Sequence, residues 1–189
     1  DVGRLRFDGK TGRESSYFVN ILSAGLGGLV DTYVKNHARW AGGKLGYFLA
    51  STQALIESDL AAIRVKVELD GVTRDEELRT LSIAICNGRY FGSGMHIAPM
   101  AKPDDGVFEV VSLGWKNKVK FAVSGSSVYS GAHIKDPDVT HFPCQKLTLE
   151  VLNDRAKGTF LLDVDGEPLG APPLEVEVLK QALPVLVPP

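Results

Sequence analysis

Apolar and polar residues alternate with a period of two along several stretches of this chain. In "IRVKVELD", Ile63, Val65, Val67 and Leu69 fall on one side and Arg64, Lys66 and Glu68 on the other. That is the pattern of a strand with one buried face. "KLTLEV" repeats it with Leu147, Leu149 and Val151, and "LEVEVL" with Leu174, Val176 and Val178. "LSIAIC", "VFEVVSL" and "GTFLLDV" are more continuously apolar and predict inner strands. Val2, Leu5 and Phe7 in "DVGRLRF" predict a strand already under way at the first residue, and hence further protein upstream of Asp1. Asp8 before Gly9 and Asp70 before Gly71 are turn signals, because glycine accepts the positive φ that tight hairpins require.

Helical spacing is rarer. In "GKLGYFLASTQALIES", Leu45, Phe48, Leu49, Thr52, Leu55 and Ile56 form one stripe at three- and four-residue steps. "GLVDTYVKNHARW" and "NKVKFAVSGSSVYSG" are weaker, the second diluted by serine and glycine. Strands dominate and no regular β-α alternation appears. The expected fold is therefore mainly β, an antiparallel β-sandwich with a few decorating helices.

Composition narrows the picture further. At 189 residues the chain can bury a sizeable core, and it holds no repeat, low-complexity tract or internal linker. A formal net charge of -2 gives no sign of a general nucleic-acid binder. No apolar run approaches the roughly 20 residues of a membrane span. Cys86 and Cys144 are too few for a disulfide framework and stand in no metal spacing. Cys86, inside "LSIAIC", is expected to be buried. A cytoplasmic location fits these features.

Two acidic stretches could carry chemistry. In "DVDGEPLG", Asp163, Asp165 and Glu167 stand at alternate positions, so in an extended chain they would share a face. Clustered carboxylates repel unless a cation or donor lies among them, and such a group suits Mg²⁺. The same residues can equally form a hairpin whose Asp165 and Gly166 are the turn and whose acids are solvated. In "KPDDGVF", Asp105 could hold a cation together with carbonyls exposed where Gly106 bends the chain, or it could simply belong to a turn. Several motifs fail: "FGSGM" lacks the spacing of a nucleophile elbow, and "AGLGGLVD" is not a dinucleotide loop. No Walker-type phosphate loop occurs, and His37, His96, His133 and His141 form no short zinc pair.

The segments "YFVNILSAGLGGLV", "GGKLGYFLASTQAL", "NGRYFGSGMHIAPMAKPDDGVFEV" and "DVDGEPL", with the closing "LPVLVP", run through the chain in order. In them the chain resembles the second domain of the diacylglycerol kinase catalytic family, which also holds sphingosine, ceramide and bacterial lipid kinases. The block from "NGRY" to "DDG" is its most specific part. The resemblance implies that residues 1–189 are the C-terminal β-sandwich domain of a two-domain lipid kinase. The family's nucleotide-binding domain carries a Gly-Gly-Asp-Gly-Thr loop that this sequence lacks, so that domain is absent from this chain, and the chain alone is expected to be inactive.

Carried onto these residues, the resemblance implies that Asp165 and Glu167 are catalytic and face an interdomain cleft. They would help arrange Mg²⁺, water and the phosphates of ATP as co-substrate, Glu167 also as a cofactor-binding residue. Asp165 is the candidate base for the lipid hydroxyl. Asp105, with the carbonyls of Lys102 and Val107, is expected to hold a structural cation. The glycines and prolines of residues 88–110 would let backbone oxygens converge there, while Tyr90, Phe91 and Met95 pack or border an acyl-binding groove. The stripe from Leu45 to Ile56 could serve that groove or be plain core.

The expected function is transfer of the ATP γ-phosphate to the hydroxyl of a diacylglycerol-like or sphingoid lipid at the membrane surface. The expected partners are that lipid, ATP and the nucleotide domain, with a homodimer allowed and no nucleic acid. A non-catalytic lipid- or partner-binding sandwich, or a kinase of a soluble polyol, are the alternatives.

Overall fold

The computed structural model describes residues 1–9, 12–37, 53–92, 94–115 and 118–186. Among them, twelve strands make two six-stranded antiparallel sheets. The first sheet runs in the order β2 (Gly12–Phe18), β1 (Val2–Gly9), β12 (Ala171–Leu179), β9 (Lys146–Val151), β4 (Ala61–Leu69), β5 (Val72–Thr80). The second runs β11 (Glu167–Pro168), β10 (Leu161–Val164), β3 (Ile21–Gly25), β6 (Ser82–Cys86), β7 (Phe108–Leu113), β8 (Val139–Cys144). The fold is the mainly β sandwich that the alternation predicts.

The alternating strands supply one wall of the core. Ile63, Val65 and Val67 of β4, Leu147 and Leu149 of β9, and Leu174 and Val176 of β12 are buried together. They face Leu22, Ile83, Ile85, Phe108, Val110 and Leu162 of the second sheet. Phe18 and Phe108 meet across the gap, ring centroids 5.2 Å apart. The outer side of the first sheet is a lattice of charges: Arg6 pairs with Glu175, Arg64 with Glu77 and Glu150, and Lys146 with Glu68.

The second sheet is covered on both faces, which is why β6, β7 and β10 read as continuous apolar runs. Ile21, Ala84, Cys86, Val111 and Leu113 on its far side pack with Ile97, Ala98, Ala101, Trp115 and Val128. The last of these belongs to α2 (Lys118–Ser130). Trp115 is fully buried, and its indole Nε1 donates to Asp136 Oδ2 at 3.1 Å. Lys120 Nζ reaches Asp136 Oδ1 at 3.1 Å and Asp138 Oδ2 at 2.6 Å, fixing the helix to the approach of β8.

At the opposite end of that sheet, α1 (Leu26–His37) packs Leu26, Leu29 and Val30 against Ala54. Residues 53–57 are helical. A Cβ on Gly28 would lie 2.3 Å from the carbonyl oxygen of Leu161, so only glycine lets α1 come this close to β10. Gly28 of "AGLGGLVD" thus serves helix-to-strand contact. A short α3 (Asp154–Lys157) follows β9.

Some expectations need correction. β1 continues through Asp8 and Gly9, which pair with Arg13 and Gly12 of β2, so these two are strand residues and not the expected turn; residues 10 and 11 lie outside the described residues. Asp70 and Gly71 do form the β4–β5 turn, with φ of 49° and 79°. The predicted stripe from Leu45 to Thr52 lies outside the described residues; beyond it, Leu55 is partly buried and Ile56 is 67% exposed. Strands β2 and β5 carry no apolar alternation, because both are exposed sheet edges. Cys86 and Cys144 are buried free thiols, and burial pushes the Cys144 thiol up to about 12. No helix among the described residues is long and apolar enough to cross a membrane.

Candidate functional site

The β10–β11 hairpin is closed by the pair Val164 and Glu167, leaving Asp165 and Gly166 as a two-residue turn. Their φ values of 51° and 90° are those of a type I′ turn, which favours a glycine and tolerates an aspartate. Strand partners share a face, so Glu167 lies on the side of Val164. Asp163, paired with Pro168, lies on the other. The three carboxylates therefore do not converge, contrary to the extended-chain expectation. Asp163 is buried at 7% exposure beside Ser23, whose Oγ stands 3.5 Å from Asp163 Oδ2. Asp165 and Glu167 are exposed.

Asp165 is tied to the link between β2 and β3. Its Oδ2 accepts the backbone N–H of Val19 at 2.8 Å, and its Oδ1 accepts those of Asn20 at 3.1 Å and Ile21 at 2.8 Å. Its own N–H donates to the carbonyl of Ile21 at 3.0 Å. Asn20 continues the connection. Its carbonyl accepts the N–H groups of Asn87 and Gly88, at 2.9 and 3.0 Å, and its Nδ2 donates to the carbonyl of Tyr90 at 3.0 Å. A Cβ on Gly88 would lie 2.1 Å from Asn20 Oδ1. Tyr90 is 52% exposed and stacks on His96 with centroids 4.3 Å apart.

The second acidic stretch stands nearby through Asp1. Buried Asn87 donates from Nδ2 to the carbonyls of Val19 and Asp1, at 2.7 and 3.1 Å. Asp1 in turn takes the N–H of Gly106 on Oδ2 at 2.7 Å and that of Gln181 on Oδ1 at 2.8 Å. Its main-chain nitrogen donates to the carbonyl of Pro103. Residues 102–107 are thereby held to the start of β1 and to the end of β12. Within them, Asp105 Oδ1 accepts the N–H of Val107 at 3.2 Å. Glu109 is half-buried; burial first, and the charge of Asp105 second, raise its carboxyl above the usual range.

As donors, the Asp105 carboxylate and the carbonyls of Lys102 and Val107 are all hard oxygens, which fits Mg²⁺ or Ca²⁺ in kind. At the hairpin, Glu167 offers an exposed carboxylate of the sort Mg²⁺ takes alongside phosphates and water. No group of three His, Cys, Asp or Glu side chains arranged for a metal occurs among the described residues. Phe91 and Met95 pack at the margin of the core around Trp115, and Ile97 is fully buried there. Asp1, Asn20 and Asn87 are absent from the sequence-based candidates. Their signal was a polar residue at the boundary of an apolar strand, as in "YFVNIL" and "LSIAICNG".

Comparison with known proteins gives a family match: the YegS C-terminal NAD kinase beta sandwich-like domain, over residues 20–187. A diacylglycerol kinase of Mycobacterium tuberculosis is 27% identical over 183 residues, covering 95% of this chain and 56% of that protein. A diacylglycerol kinase of Bacillus subtilis is 27% identical over 174 residues, covering 91% of the chain and 54% of that protein. The chain thus spans about half the length of these curated relatives. The crystal structure of a diacylglycerol kinase from Bacillus anthracis superposes with a TM-score of 0.52 at 14% identity, over 95% of this chain and 52% of that one.

Proposed function

The chain belongs to the family of YegS C-terminal NAD kinase beta sandwich-like domains, and from that premise we propose that it is the C-terminal domain of an ATP-dependent lipid kinase. The longer protein would carry a nucleotide-binding domain on the N-terminal side and move the γ-phosphate of ATP to the hydroxyl of a diacylglycerol-like or sphingoid lipid. The supporting observation is the exposed hairpin bearing Asp165 and Glu167, hydrogen-bonded to residues 19–21, in a chain whose curated relatives are named diacylglycerol kinases.

Phosphoryl transfer asks mainly for positioning and charge stabilisation. Glu167 would hold the Mg²⁺ that accompanies ATP, and that ion would supply charge neutralisation for the transferred phosphate. The hairpin turn at Asp165 fixes where the Glu167 carboxylate stands. Asp105, Lys102 and Val107 would hold the second, structural cation, with Asp1 fastening their loop. The lipid would be met at the membrane surface, and the protein would work in the cytoplasm as a peripheral enzyme.

The test is ATP-dependent phosphate incorporation into diacylglycerol, sphingosine and glycerol by the longer protein, its Glu167→Gln variant and this chain alone. Labelling of a lipid by the unaltered longer protein alone supports the proposal. Undiminished labelling by Glu167→Gln removes Glu167 from the site. Labelling of glycerol but no lipid favours a polyol kinase, and no labelling by a well-folded longer protein favours a non-catalytic binding sandwich.

A further inference from the structure

A residue that takes a proton from a substrate hydroxyl must present a lone pair to it within hydrogen-bond reach. Asp165 is poorly placed for that. An ionised carboxylate has about four acceptor positions, and three of those on Asp165 already take the N–H groups of Val19, Asn20 and Ile21. Its backbone is committed as well, through φ of 51° and the bond to the carbonyl of Ile21. Further hydrogen bonds continue from there. Asn20, held by Asp165, accepts from Asn87 and Gly88 and donates to Tyr90. Asn87, beside it, reaches Asp1, which holds Gly106.

We propose, resting on the kinase reading above, that Asp165 is a positioning residue and not the proton acceptor. It latches the Glu167 hairpin to residues 19–21, and through Asn20 and Asn87 sets that hairpin in register with residues 88–90 and with the loop of Asp105. One carboxylate thereby fixes the relative placement of the two acidic stretches. Glu167 is exposed to solvent, while the oxygens of Asp165 are turned back onto the chain's own backbone.

Two measurements test this, and the first needs no activity. Amide hydrogen exchange is followed in this chain and in its Asp165→Ala, Asp165→Asn and Asn20→Ala variants. The expected result for Asp165→Ala is a tenfold or greater loss of protection at Val19, Asn20 and Ile21, carried on to Asn87 and Gly88, with Val65 of β4 unchanged. Asp165→Asn, which retains an Oδ1 acceptor for Asn20 and Ile21, is expected to lose protection chiefly at Val19. It serves if the alanine variant does not fold. Unchanged protection at residues 19–21 in a folded variant overturns the latch.

The second measurement is the pH profile of kcat/KM in the longer protein, with ATP and dioleoylglycerol in mixed micelles. Asp165→Asn and Asn20→Ala are expected to lower kcat by similar factors, with the acidic limb in place and the double variant little worse than the poorer single one. Loss of the acidic limb in Asp165→Asn alone makes Asp165 the base and overturns the proposal. If dioleoylglycerol is not phosphorylated at all, the kinase reading falls on that substrate, and hydrogen exchange decides the latch by itself.

Discussion

At the scale of single residues, Gly88 shows how tightly the site is drawn. A methyl group there meets Asn20 Oδ1 at 2.1 Å. Asn20 is exposed, so its side chain can swing into water and forfeit the bond to Tyr90. Gly88→Ala is therefore expected to cost only about 1 kcal/mol, the net worth of one such hydrogen bond. Urea unfolding of the chain measures it, and a loss several times larger would mean that the backbone of residues 87–90 also shifts. Glu109 makes a pH-dependent case. Burial and the Asp105 charge raise its pKa in the folded state, so the folded protein holds this proton more firmly than the unfolded chain. Its contribution to stability is present below the unfolded carboxyl pKa and is lost as pH rises through the folded one. Glu109→Gln should therefore unfold at a higher temperature than the parent at neutral pH, with the difference closing towards pH 4. Equal gains at both pH values would assign the effect to packing.

At the scale of elements, α2 is fastened at its start by Lys120 and near its end by Val128. Val119 and Val123 on its outer face are exposed, while Val128 is buried. The fastening at the start is the cluster of Lys120, Asp136, Asp138 and Trp115. The N–H of Asp138, followed by Lys120 and the Trp115 indole, lowers the Asp136 carboxyl. That stabilisation is present above the unfolded pKa and lost as pH falls through the lowered one. Asp136→Asn should thus lower Tm at pH 7, with the deficit narrowing as pH falls below the ordinary carboxyl range, by thermal scans across that range. The elements also differ in how readable they were. β4, β9 and β12 bury one face against the core and expose the other, so the side-chain period is written in their residues. β5, "VTRDEELRT", is an edge strand with exposed side chains almost throughout, and what makes it a strand is pairing with β4 from Ala61 to Leu69. β3 was equally silent for the opposite reason: all five of its residues are buried, and a short apolar run has no period to show. The hairpin at Asp165 could be read as a turn or as an acidic cluster, and its pairing register makes Asp165 and Gly166 the turn residues.

Across the whole molecule, the two sheets are unequal. The first has one covered face and an outer surface of paired charges, whereas the second is packed on both faces. This asymmetry was legible as the contrast between alternating and continuously apolar strands. The site was legible only in part, because Asp165, Glu167 and Asp105 announce themselves by charge, while Asn20, Asn87 and Asp1 act through backbone hydrogen bonds between residues far apart in sequence. Burial on both faces has a measurable consequence. Local opening costs most where the surrounding apolar contacts are most complete, and Ile83, Ile85, Val110 and Val111 of β6 and β7 are 0 to 1% exposed. Their amides should exchange most slowly of all, approaching the free energy of global unfolding. Amides at the free edges of β2 and β5 should exchange faster by orders of magnitude. Phe108, fully buried where the sheets meet, gives the matching substitution: Phe108→Ala should cost about 3–5 kcal/mol and speed exchange in β6, β7, β4 and β9 together. If β6 and β7 quicken while β4 and β9 keep their parental rates, the two sheets do not unfold as one unit, and the shared core does not bind them into a single cooperative structure.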